Sequence, residues 1–145
     1  MGMWLLVVVS TLSVHLAHMS YAISKTISAD MATAEARVRD ELQKEGFGVL
    51  TEIDMQATLK KKLDADIRPY KILGACNPPF ALKSLQAEDY IGLMLPCNVL
   101  LQQRDNGVEV SAVDPVASMM AVKNAALEAT AGEVRDKLKR VIVAL

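Results

Sequence analysis

An α+β layer fold, with helices over one face of a mostly antiparallel sheet, is predicted by three features of the 145-residue chain. Short β-favouring runs alternate with helical runs from Tyr21 onward, and no linker, repeat or low-complexity segment interrupts them. Asp105-Asn106-Gly107 is a hairpin signal between two apolar runs, which makes those neighbours antiparallel. A final helix sets Leu127, Ala131, Val134, Leu138 and Val141 in one stripe, the spacing of core packing or of an interface.

Taken in order, Tyr21, Ile23 and Ile27 belong to the first strand. Asp30 caps a helix with Met31, Ala34, Val38 and Leu42 on its apolar face. Glu35 with Arg39 and Asp40 with Lys44 are spaced as i,i+4 pairs, and Gly46 ends the helix. Residues 47–53 read as a strand, buried enough to be mostly apolar. Asp54 caps a shorter helix carrying Met55, Leu59 and Leu63, with Lys60, Lys61 and Lys62 as a solvated face. Residues 70–75 read as another buried strand, closed by Cys76-Asn77-Pro78-Pro79. Proline is well tolerated at the first helical position, so a third helix is expected over 80–86. The strongly apolar run 91–101 contains Pro96, which places a bend or bulge in it. The hairpin joins 98–103 to 108–113, and the closing helix starts near Asn124.

The length suits a single domain, assigned to residues 19–145, that needs no disulfide staples. Sixteen basic residues against seventeen acidic give a net charge of -1, so a nucleic-acid partner, which calls for a basic surplus, is not expected. Residues 1–18 are an apolar leader, with Trp4 to Leu16 uncharged. It lacks the Lys or Arg that opens a secretory signal and is shorter than the roughly 20 apolar residues of a membrane span. Three readings stand: translation starting at Met19, a membrane anchor or uncleaved signal, and export. A Met19 start implies a cytoplasmic protein; a membrane enters only if the leader is real.

Both histidines, His15 and His18, lie in that leader. Residues 19–145 therefore offer no Cys-His dyad, no Ser-His-Asp triad and no histidine-ligated metal. The two cysteines each sit in a proline-flanked Cys-Asn pair, Cys76-Asn77-Pro78-Pro79 and Pro96-Cys97-Asn98. One bridge between them is geometrically allowed, but reduced thiols are the favoured state, since cysteine commonly behaves as a small buried hydrophobe.

Three stretches, Glu45-Gly46-Phe47-Gly48-Val49-Leu50-Thr51-Glu52-Ile53-Asp54, Tyr70-Lys71-Ile72-Leu73-Gly74-Ala75-Cys76-Asn77-Pro78-Pro79 and Gly92-Leu93-Met94-Leu95-Pro96-Cys97-Asn98-Val99, are followed by Val113-Asp114-Pro115. Together they resemble the bacterial and archaeal family called domain of unknown function 302, over residues 21–141. The resemblance implies a fold like that of the TATA-binding protein, strand-helix-four strands-helix, and commonly a homodimer. It implies no established activity, and the fold gives no licence for DNA binding. Members often begin just before the tyrosine matching Tyr21, in favour of the Met19 start.

Cys76 and Cys97 follow segments read as neighbouring strands, so they are expected in one place. In one reading they line a small-ligand pocket with Asn77, Asn98 and Tyr70, the amides supplying donors and acceptors and the prolines fixing the loops. In a second they are a redox pair or a sulfur carrier, with Lys71 or the helix N-terminus after Pro78 lowering a thiol pKa. In a third they hold a soft metal or a haem iron, although two thiolates are only half of a tetrahedral zinc set. In the fourth they are packing cysteines in tight turns. Glu52 either points outward or faces a pocket as a general acid or base. Asp54 and Asp114 are helix caps, and Gly46-x-Gly48 lacks the third glycine of a phosphate loop. The favoured reading is a small-ligand-binding or interaction domain with its pocket at the two Cys-Asn loops. The alternative is a thiol-dependent redox or sulfur-carrier protein using Cys76 or Cys97. Neither the cofactor nor the presence of catalysis is specified.

Overall fold

The computed structural model describes residues 21–145, so the readings of the leader lie outside the described residues. Strands β1 (Ala22–Ile27), β2 (Gly48–Asp54), β3 (Tyr70–Cys76), β4 (Cys97–Arg104) and β5 (Gly107–Val113) form one antiparallel sheet in the order β1-β5-β4-β3-β2. Alternate residues share a face, so Leu73, Ala75, Val99, Leu101, Val108, Val110 and Ala112 make one buried apolar surface. Helices α1 (Met31–Lys44) and α5 (Ala125–Ala144) close it with Ala34, Val38 and Leu42 from the first and Val134, Leu138 and Val141 from the second. The expected α+β layers, with helices over one face of an antiparallel sheet, are what the chain forms.

The helix ends follow from their residues. Asp30 accepts from the Thr33 N–H at 2.7 Å, and Gly46 takes φ +83 where α1 stops. Asp114 accepts from the Val116 N–H at 2.9 Å and starts a single turn, α4 (Pro115–Ser118). Asn124 caps α5 through the Ala126 N–H at 3.0 Å.

Three expectations are corrected. Residues 47–53 were expected to be mostly buried, but β2 is an edge strand with Leu50 68% and Ile53 44% exposed. Apolar composition does not distinguish an edge strand from a central one. A bulge between Val49 and Thr51 also resets the alternation and pairs Glu52 with Leu73. The run 91–101 divides into a 3-10 turn (Asp89–Met94), with Ile91 buried, and β4, which begins after the cis Leu95-Pro96 bond. Helix α2 (Met55–Leu63) forms where expected and buries no residue. Lys44 pairs with Glu41 at 2.7 Å, and Asp40 is not its partner.

Candidate functional site

Cys76 and Cys97 meet because β3 ends where β4 begins. Ala75 lies directly opposite Cys97, and Cys76 is the next residue along. Asn77 then opens α3 (Pro78–Ala87), but its side chain makes no capping bond there. Its Nδ2 donates instead to the Glu45 carbonyl at 3.0 Å, tying the start of α3 to the end of α1. Gly46 leaves room for that amide, since a Cβ there would come within 3.2 Å of Asn77 Nδ2. Across the gap stand Thr130, Ala131 and Val134 of α5, and Met119 just past α4.

These residues bound a half-open cavity that Cys76, Cys97, Asn77, Phe80 and Ser84 also line. The cavity has a volume of about 30 Å³, room for about two waters. The polar side chains around it already donate to backbone carbonyls: Asn77 to Glu45, Ser84 Oγ to Phe80 at 2.8 Å and Thr130 Oγ1 to Ala126 at 3.5 Å. Both thiols are free, with Cys76 half-buried and Cys97 7% exposed. Burial, and secondarily the neighbouring Cys76, pushes the Cys97 thiol from 9.0 up to about 11. A larger trough of about 500 Å³ runs between α4 and α5 past Val116, Met120 and Leu127, and it shares Met119 and Ala131 with the cavity.

The structure thus brings together Cys76, Cys97 and Asn77 and separates the other candidates from them. Asn98 is exposed and pairs with Gly74 one residue beyond Cys97, hence on the opposite face of the sheet. Tyr70 starts the strand that Cys76 ends, roughly 20 Å away at the strand rise, and its ring lies 5.7 Å from the Arg68 guanidinium. Glu52 belongs to a closed ring of ion pairs. Arg39 binds Glu35 at 2.8 Å and Glu52 at 2.6 Å, and Lys71 binds the same two carboxylates at 2.8 and 2.7 Å. Burial pushes the Glu35 carboxyl up, but its bonds to Lys71 and Arg39 outweigh this and hold it below the usual range. The same bonds raise Lys71, so that lysine serves the ring and not a cysteine. Phe47, Phe80, Ser84, Met119, Thr130 and Ala131 were not anticipated in the site. The Met119-Met120 pair just after the Asp114-Pro115 cap was the one local signal for a soft apolar opening. Among the described residues no three His, Cys, Asp or Glu side chains converge as a metal set, and no helix is long and apolar enough to cross a membrane.

No protein with a curated description matches the chain. The crystal structure of an uncharacterized conserved DUF302 protein from Bacillus stearothermophilus is similar, with 25% sequence identity and a TM-score of 0.81. The match covers 86% of this chain and 98% of that one. The family model described as domain of unknown function DUF302 matches residues 23–145. The chain belongs to that family.

Proposed function

We propose that the domain is a binding module, not a catalyst, and that its site is the cavity between the β3 and β4 ends, α3 and α5. The supporting observation is that both cysteines line one small, half-open apolar space bordered by a larger trough. At about 30 Å³ the cavity is far smaller than the roughly 300 Å³ of a metabolite pocket, so only a very small ligand fits without movement. The half-buried Met119 stands between cavity and trough, and its unbranched chain can swing to join them. A homodimer is part of the reading. The closing-helix stripe considered as its face is buried within the chain, whereas the β2 edge, with Leu50 and Ile53 exposed, supports pairing there.

Thiol labelling tests the binding reading against a redox or sulfur-carrier one. A thiol near 11 keeps few thiolates at neutral pH, and the thiolate is the reacting form. In the Cys76→Ser variant, Cys97 is expected to label roughly 100-fold more slowly than a thiol at 9.0, the ratio of thiolate fractions two units apart. Its rate should rise about tenfold per pH unit until the thiol titrates. A cysteine that reacts faster at pH 7 than in the unfolded chain overturns the binding reading in favour of thiol chemistry.

A further inference from the structure

We propose that the cavity takes a soft monovalent metal ion, copper(I), held by the sulfurs of Cys76, Cys97 and Met119. The inference rests on the binding reading above and names its ligand class. Three sulfur-bearing side chains line a space of about 30 Å³, which suits a single ion and excludes a metabolite. The hydroxyls and the amide NH₂ around it donate to backbone carbonyls, and their oxygens are hard donors that a soft ion disfavours, so the sulfurs are the matching ligands. Thiolate and thioether are soft donors, and copper(I) is one of the few biological metals that they select. Zinc would ask for four ligands, and the described residues offer no third His, Cys, Asp or Glu beside the two thiols.

The trough provides the approach. Met120, 76% exposed, and Met119 place two thioethers in succession along it, soft enough to pass the ion inward. Binding transfers no electron. Two S–H bonds break, their protons leave to solvent, two copper–sulfur bonds form, and the thioether adds a neutral pair. The bound site carries one net negative charge. A cation stands at the cavity wall: the Lys137 ammonium lies 5.9 Å from the ring centre of Phe80. Burial that disfavours a free thiolate at Cys97 is no obstacle to a metal thiolate, because the ion replaces the proton.

The test is an anaerobic titration of the full chain with copper(I) under ascorbate, in competition with bicinchoninate. Copper per chain and the ultraviolet sulfur-to-copper absorption are read together. One copper retained per chain is expected. Cys97→Ser or Cys76→Ser should weaken retention by more than about 100-fold, beyond the 10–100-fold that loss of an outer-shell partner costs. Met119→Leu, which conserves volume, should weaken it by roughly tenfold. The double serine variant measures copper held elsewhere, including by the leader histidines. Copper stripped from the native chain as readily as from the double serine variant overturns the inference. That comparison needs only the native chain and the double variant, so poor folding of a single-site variant does not obscure it. Failure to hold copper, with an organic ligand found on the purified protein, overturns the metal and leaves the binding reading standing.

Discussion

Gly107→Ala is expected to destabilise the domain by at least about 3 kcal/mol, the upper range for a strained backbone position joined to a steric clash. Gly107 has φ +139, where a Cβ is strained whatever the surrounding space. The added Cβ would also fall under 3.0 Å from the Ile27 carbonyl, a backbone group that cannot rotate away. Ile27 is the last residue of β1 and pairs with Val108. Relief therefore requires lifting β1 off β5 at the hairpin end of the sheet. For a domain of this size the melting temperature should fall by roughly 10 °C. Gly92→Ala is the internal control: nothing lies within 4 Å of its Cβ position, and a change within about 0.5 kcal/mol is expected. Equal effects from the two variants in a urea or thermal melt would refute the tight approach of β1 to the hairpin.

Leu138→Ala is expected to cost about 2–5 kcal/mol, the transfer term plus the cavity left behind. Leu138 is 0% exposed and belongs to the core cluster with Leu42, Val99 and Val110. The same helix walls the cysteine cavity through Thr130, Ala131 and Val134, so loosening it should also raise the labelling rate of Cys97. Val143, 69% exposed on the same helix, is the control, and Val143→Ala should change stability by about 0.5 kcal/mol or less. A loss below about 1 kcal/mol at Leu138 would mean that α5 does not dock on the sheet through this stripe.

The elements with strong local chemistry are legible in the amino-acid sequence. Asp30, Asp54 and Asp114 cap helices as expected, because a side-chain oxygen one residue ahead of an apolar periodic run has one cheap use, and Asn124 caps the helix expected to start near it. The hairpin at 105–107 and the stripe of α5 are equally plain. What is obscured depends on neighbours distant along the chain. Nothing in Val49-Leu50-Thr51 announces an edge strand or its bulge, since both follow from what lies beside β2. The run 91–101 reads as one strand until Ile91 is seen to be buried from a 3-10 turn. The meeting of Cys76 and Cys97 is legible from strand order alone. The partition of the candidates is not: one step along β4 carries Asn98 to the opposite face, and the length of β3 removes Tyr70. Met119 enters from a segment whose path only the packing of α4 against α5 sets.

A native mass spectrum of the full chain, purified without added ligand and repeated under denaturing conditions, tests the binding site most directly. The expected result is the mass of two chains plus a reproducible increment that denaturation removes and the Cys76→Ser/Cys97→Ser variant lacks. An increment that survives denaturation but disappears on reduction would contradict it and establish sulfur bonded to a cysteine. A bare mass, unchanged when copper(I) and then apolar small molecules are supplied, would contradict it as well and leave Cys76 and Cys97 as packing residues.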